Sequence, residues 1–369
     1  MQQLSIFAQV YDTYKSKKPL RLIELFAGYG SQALALKYMG VPFEHYRVCE
    51  WNWKSNYAYS LMHDLYQEYD TGMTKDEIIM ALQGKGLSAD WNKPMEDTQI
   101  SRMKEEDLRH AYNAIISTRN TIDISRTHGN DLGIEPRKER KREYLMTYSF
   151  PCQDLSLAGE RKGMEEGTGT RSSLLWQVER ILDELSEADE LPDILLMENV
   201  PQVHGMGNEN AFRKWCNRLT DLGYSNFYDD VIATDYEIPQ TRNRCMMISI
   251  LGNWHYQFLP KKPLVKKLKD FLEAEVDTKY YLTQKQLEQV RAWGTKQKPL
   301  EQVSMSGEKC QTITAQSNMR LNYSSIFVTE CIGSTRPHAT IYYDGRCPSF
   351  LATANGSNGK VPMVKEKKV

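Results

Sequence analysis

No uninterrupted apolar run in the chain approaches the roughly 20 residues that span a bilayer. Met1 to Lys18 has no apolar core flanked by positive charge, so it is not read as a secretory signal. These two absences exclude a membrane partner and point to a cytoplasmic protein. The seven cysteines, Cys49, Cys152, Cys216, Cys245, Cys310, Cys331 and Cys347, form no CxxC pair and no Cys/His cluster at zinc spacing. Scattered and odd in number, they read as reduced thiols, with no disulfide framework and no metal site. Charge of one sign is lacking too: 47 Lys and Arg balance 48 Asp and Glu, for a net charge of −1. A nucleic-acid role therefore needs a local basic surface. Two stretches offer one, Arg137-Lys138-Glu139-Arg140-Lys141-Arg142 and the lysine-rich run from Lys261 to Lys269. For each, a solvated face balanced by neighbouring acids is an equal reading.

What is present is an ordinary globular composition, 40% apolar and 26% charged over 369 residues, enough for two domains. Leu22-Ile23-Glu24-Leu25-Phe26 reads as a buried strand that runs into a Gly turn. Ser31 to Met39 follows with helical spacing, and Phe43 to Glu50 is a second strand ending in an acid. Strand, Gly turn, helix, strand and acid in that order are the logic of a Rossmann-like nucleotide site. The turn, Phe26-Ala27-Gly28-Tyr29-Gly30-Ser31, lacks the full GxGxxG spacing. It suits a nucleoside cofactor better than a pyrophosphate.

From about residue 60 to 130 the chain is polar and patterned as helices, an insertion whose role is not legible. The alternation then resumes with strands over Tyr144–Phe150, Asp193–Met197 and Cys245–Ile250, and helices over Ser172–Leu185 and Phe212–Leu222. This predicts an α/β fold, a Rossmann-like, doubly wound and mostly parallel sheet. Residues 1–251 form its main domain. Beyond Leu251 the pattern dissolves into short strands and Gly/Asn turns, which predicts a smaller, irregular, β-rich second domain over 252–369.

Ser149-Phe150-Pro151-Cys152-Gln153-Asp154-Leu155-Ser156 places one cysteine in a Pro-flanked turn directly after a strand. Strand ends are where open α/β sheets gather ligands, and the first turn of a following helix would favour the thiolate. Phe26-Ala27-Gly28-Tyr29-Gly30, Glu50-Trp51, Pro151-Cys152-Gln153, Glu198-Asn199-Val200 and Gln240-Thr241-Arg242-Asn243-Arg244 occur in one order, each at a strand end. In that order they resemble the C5-cytosine DNA methyltransferase family, bacterial or bacteriophage modification enzymes. The resemblance covers roughly Leu20 to Ile250 and includes the block from Gly169 to Leu175.

The resemblance implies S-adenosylmethionine as methyl donor, S-adenosylhomocysteine as product, and double-stranded DNA as partner. Cys152 would be the nucleophile, with Glu198 acting at N3 of the cytosine and Arg244 and Arg242 facing O2 and the thiolate. Phe26, Gly28 and Gly30 would floor the cofactor site, Glu50 would accept from the ribose hydroxyls, Trp51 would stack on adenine, and Pro151 would border it. Asp131-Leu132 stands where the family places a motif that contacts the adenine amino group. Asn199 would shape the Glu198 loop, and Gln153 and Ser156 would contact phosphates or fill the space of an extruded base. Arg320, Arg336 and Arg346 are candidate base readers. The family continues into a further helix and a Gly-Asn block, of which this sequence carries no convincing version. That leaves open a separate C-terminal subunit, or a non-catalytic DNA-binding chain. A tRNA-methylating branch of the same fold is a third reading.

Overall fold

The computed structural model describes residues 12–13, 18–90, 92–151, 171–267, 270, 302–304 and 327–329. Cys152, Gln153, Ser156, Arg320, Arg336 and Arg346 lie outside them. The chain divides into two units, Met1–Asp230 with Arg244–Leu259, and Val231–Asn243 with Pro260–Val369. The division places Arg244 in the first unit and Arg242 in the second.

In chain order the first unit carries β1 (Asp12–Thr13), β2 (Leu20–Leu25), α1 (Ser31–Tyr38), β3 (Phe43–Cys49) and α2 (Trp53–Met62). Next come α3 (Lys75–Leu82), α4 (Asp97–Ser101), α5 (Glu105–Thr118), β4 (Glu143–Tyr148), α6 (Leu175–Glu187), β5 (Ile194–Asn199) and α7 (Glu209–Asp221). β6 (Tyr224–Ile232) and β7 (Asn243–Leu251) complete one six-stranded sheet, ordered β3-β2-β4-β5-β7-β6. β2 pairs in parallel with both β3 and β4, β4 pairs in parallel with β5, and β5 pairs antiparallel with β7. The mostly parallel, doubly wound sheet expected from the alternation is the observed one. β8 (Trp254–His255) pairs with β1. In the second unit, β9 (Gln302–Ser304) pairs with β10 (Phe327–Thr329).

Both faces of the sheet are covered, and the sequence shows why. Every residue of β4 is buried, as expected of a strand with neighbours on both sides and helices above and below. In β2 the side chains alternate: Leu22 packs with Ala33 of α1 and Leu145, whereas Ile23 and Leu25 enter the main core. That core takes the apolar stripes of α6 (Leu175, Val178, Ile181, Leu182, Leu185) and α7 (Phe212, Trp215, Leu219). Each fully buried side chain of this size contributes about 1.5–3 kcal/mol. Trp215 satisfies its indole N–H on the Tyr148 hydroxyl at 3.2 Å.

β6 escapes a reading by alternation, because Ser225, Asn226, Asp229 and Asp230 interrupt any apolar pattern. The basic run at 137–142 is not a uniform surface. Arg140 is buried and donates to the main-chain oxygens of Glu135 and Leu191 and to Asp193, so it serves the fold. Among the described residues no helix is long and apolar enough to cross a membrane.

Candidate active site

β2 ends in a turn with three residues in left-handed backbone: Phe26 (φ 56°), Gly28 (φ 55°) and Gly30 (φ 78°). A Cβ at Gly30 would collide with the rings of Tyr59 and His63, so this position admits only glycine. A Cβ at Gly28 would meet nothing within 4 Å, so the turn presents bare backbone there. Phe26 is half-buried and packs on the main core.

Beneath the turn lies a buried polar cluster. Glu24 is 1% exposed; it accepts from the Tyr59 hydroxyl at 2.6 Å and from the Ala33 N–H at 3.3 Å. Burial pushes its pKa up to about 7. The ring nitrogen of His45 meets the Tyr59 hydroxyl at 2.8 Å, and His63 Nε2 meets the Tyr29 carbonyl at 3.0 Å.

Glu50 directly follows β3 and is 3% exposed. Its Oε2 accepts from the Gly28 N–H at 2.8 Å and its Oε1 from the Asn52 N–H at 2.7 Å. Burial raises its pKa to about 7 even though the two amides pull the other way. Each carboxylate oxygen has accepted one backbone bond and keeps a second lone pair. Two free acceptor positions beside a bare-backbone turn match the vicinal hydroxyls of a ribose, so the residues present fit an adenosyl cofactor. Trp51 is half-buried against the cluster formed by Trp53, Ile78, Leu82, Leu87, Ile100 and Leu108.

The structure does not bring Asp131 and Leu132 to Glu50. They lie in a short 3-10 turn, Gly129–Leu132, beside α6, where Leu132 is fully buried in the core. The Asp131 carboxylate caps that turn by accepting the His128 N–H at 2.8 Å, and its main-chain oxygen accepts from Arg47. The segment that does reach Glu50 is Asn120–Ile122. The Glu50 N–H donates to Asn120 Oδ1 at 3.0 Å, and Asn120 Nδ2 donates to the Glu50 oxygen at 2.8 Å. Sequence reading missed Asn120 because it is one polar residue at the end of a polar, helix-patterned stretch. Only the proximity of its polar side chain to a strand end, in three dimensions, gives it away.

At the far side of the sheet, β5 and β7 bring the second group together. Their antiparallel register sets Glu198 opposite Met246 and Asn199 opposite Cys245. Arg244 is then the diagonal neighbour of Glu198 on the same face, a position long side chains span. Its Nε donates to Glu198 Oε1 at 2.9 Å, with both side chains about one-fifth exposed. Asn199 is turned inward at 2% exposure; its Nδ2 donates to the Phe150 oxygen at 3.1 Å and its Oδ1 accepts the Val200 N–H. Pro151 is half-buried. Gln32, in the first turn of α1, donates to the Ser149 hydroxyl at 3.0 Å. The loop that leads to Cys152 is thus held from both the α1 and the β5 sides. Arg242, in the second unit, accepts the Ala233 N–H on its main-chain oxygen at 2.8 Å.

Spacing in the sequence shows no metal set, but among the described residues the tertiary structure gathers one candidate group. His204, Asp230 and Cys245 bring their ligand atoms within 4.8 Å of one another. His204 Nε2 already stands 2.9 Å from Asp230 Oδ1.

The fold is that of an α/β enzyme of the S-adenosylmethionine-dependent methyltransferase type. Two solved structures share the fold. One is Dnmt2 methyltransferase of S. pombe, with TM-score 0.54, 19% identity and coverage of 86% of this chain and 78% of that one. The other is the Entamoeba histolytica methyltransferase EhMeth, with TM-score 0.56, 13% identity and coverage of 87% and 79%. The family model for C-5 cytosine-specific DNA methylases matches residues 84–360. The orphan methyltransferase M.SssI of Spiroplasma monobiae is 38% identical over 285 residues, 73% of this chain and 71% of that protein. The type II methyltransferase M2.ScrFI of Lactococcus lactis subsp. cremoris is 35% identical over 272 residues, with coverage of 73% and 71%. The chain belongs to the C-5 cytosine-specific DNA methylase family.

Proposed function

We propose that this chain methylates C5 of cytosine in duplex DNA through a covalent Cys152–C6 adduct, on a base flipped out of the helix. C5 is too weak a nucleophile to take a methyl group unaided. Addition of the Cys152 thiolate at C6, with a proton from Glu198 to N3, converts C5 into an enamine-like carbon. S-adenosylmethionine, when bound, supplies the methyl group as a sulfonium. Loss of the C5 proton to a base and expulsion of the Cys152 thiolate then restore the ring, and the N3 proton returns to Glu198. Arg244 would steady the charge that develops toward O2. Glu50 would hold the ribose hydroxyls, with the Phe26–Gly30 turn as the floor.

A base inside the duplex is out of reach of any side chain, so extrusion is part of the reading, at a loss of a few kcal/mol of stacking and pairing. Residues beyond 252 would supply target recognition, with phosphate contacts providing much of the affinity. The observation that supports this reading best is the pairing of Glu198 with Arg244 at adjoining strand ends, beside the Asn199 bond to Phe150.

The test is methyl transfer from labelled S-adenosylmethionine to duplex DNA and to tRNA by the full chain, followed by bisulfite mapping of the product. Label in duplex DNA at C5 of cytosine is expected. Transfer only to tRNA would move the activity to the RNA branch. Cofactor binding without transfer to either would favour a chain that needs a second subunit.

A further inference from the structure

The helical segment between β3 and β4 holds the key to a feature of the sheet edge. Among the described residues β3 is the last strand on its side of the sheet, so the chain that continues past it takes its backbone partners from elsewhere. That continuation is Glu50-Trp51-Asn52-Trp53. The inserted segment provides partners at two points. Between α3 and α4, the Ser88 N–H donates to the Trp51 oxygen at 2.8 Å, and the Trp53 N–H donates to the Ser88 oxygen at 3.1 Å. At its end, the Thr121 N–H donates to the Val48 oxygen at 2.8 Å. Between them stands Asn120, 8% exposed, whose carboxamide takes the place of a strand neighbour. Its Oδ1 accepts the N–H groups of Glu50 and Ile122, and its Nδ2 donates to the Glu50 oxygen. Arg119 (φ 50°) and Ile122 (φ 74°) adopt left-handed backbone on either side of it. Both non-glycine residues accept that strain.

We propose that this inserted segment is part of the cofactor-holding apparatus, and that Asn120 is a positioning residue acting on the cofactor through Glu50. The proposal rests on the reading of Glu50 as the ribose acceptor. The Asn120 clamp fixes the Glu50 main chain on both its N–H and its carbonyl, and so sets the point from which the side chain reaches the Gly28 and Asn52 amides that hold its carboxylate. Without the clamp the Glu50 main chain shifts relative to the Gly28 and Asn52 amides, the carboxylate is displaced from its place, and affinity for the adenosyl group falls while the chemistry at Glu198 and Arg244 is untouched.

The test measures S-adenosylhomocysteine affinity by calorimetry, and KM and kcat with duplex DNA, for the full chain carrying N120A, N120D or E50A. Both Asn120 variants are expected to lose about tenfold or more in cofactor affinity, with a matching rise in KM for S-adenosylmethionine. Their kcat at saturating cofactor and their DNA affinity should stay within about threefold of the parent. N120D matches the parent in size, but it replaces the donor to the Glu50 oxygen with a carboxyl oxygen and sets a second acid beside the Glu50 main chain. Parent-like cofactor affinity in N120D would overturn the proposal, as would equal losses in kcat and affinity. E50A separates the two readings: if it keeps full affinity, the ribose assignment itself is wrong. Hydrogen exchange of the unmutated protein gives a measurement independent of variant folding. Cofactor should slow exchange at residues 87–88 and 120–122 together with 50–53. Protection confined to 50–53 would overturn the clamp.

Discussion

Asn199 donates from Nδ2 to the main-chain oxygen of Phe150 at 3.1 Å, tying the end of β5 to the loop that enters Pro151-Cys152. One residue thereby couples the strand that carries Glu198 to the approach of the proposed nucleophile. Loss of a buried hydrogen bond of this kind removes about 1–3 kcal/mol. N199A is expected to lower the unfolding temperature modestly and kcat strongly, with cofactor affinity retained. A variant with undiminished kcat would show that the two loops need no such tie.

The Glu198–Arg244 pair carries a separable expectation. E198Q keeps the shape of the side chain but has no proton to give N3, and general acid catalysis typically contributes about 10²–10⁴ in rate. A loss of that order in kcat is expected, with R244K falling between it and the parent, because lysine keeps the charge and loses the Nε donor. Single-turnover rates at saturating cofactor and DNA measure both. Full activity in E198Q would remove the carboxyl from the chemistry.

Cys152→Ser is expected to abolish methyl transfer and leave DNA binding largely intact, since the hydroxyl is a far weaker nucleophile than a thiolate. The same mechanism expects the parent protein to stay bound covalently to a duplex with 5-fluorocytosine at the target, where no C5 proton can leave. A denaturing gel that shows no such band would argue against the adduct. Binding should also weaken with salt, as counterion release from a few phosphates requires.

Glu50 gives a pH dependence with a definite sign. Its pKa in the folded protein is about 7, above the ordinary carboxylate value of 4.5. The ionised form is the better acceptor for ribose hydroxyls, so cofactor affinity should rise with pH through 7. Between pH 8 and pH 6 the ionised fraction of such a group falls about tenfold, and affinity with it. E50Q should flatten that profile, whereas the buried Glu24, also near 7, would leave it in place. For stability the sign reverses. A carboxyl that holds its proton more tightly folded than unfolded stabilises most at low pH, and the contribution fades as pH rises from about 4.5 to 7.

The turn after β2 gives a stability prediction. In G30A the added methyl meets the Tyr59 and His63 rings and the left-handed backbone disfavours any side chain. A loss of about 1–3 kcal/mol is expected in denaturant unfolding. G28A adds its methyl to open space and should be milder in unfolding than in cofactor binding.

Local pattern alone made the strand ends legible. Leu22–Leu25, Tyr144–Tyr148 and the stripes of α6 and α7 declare themselves by runs and periods, and the motifs follow from where those runs stop. Glu50 is legible on that basis, as the acid that ends the second strand, whereas Glu198 and Arg244 are named through the family resemblance of the strand-end motifs, and their pairing across β5 and β7 is a product of the fold. Asn120, the burial of Arg140 and the placement of Asp131 were decided by tertiary structure. Each depends on which groups a sheet edge or a core leaves unsatisfied, and a partner for such a group can come from 70 residues away, as Asn120 does for Glu50. Hydrophobic periodicity is a property of one segment, whereas hydrogen-bond satisfaction is a property of the whole assembled chain.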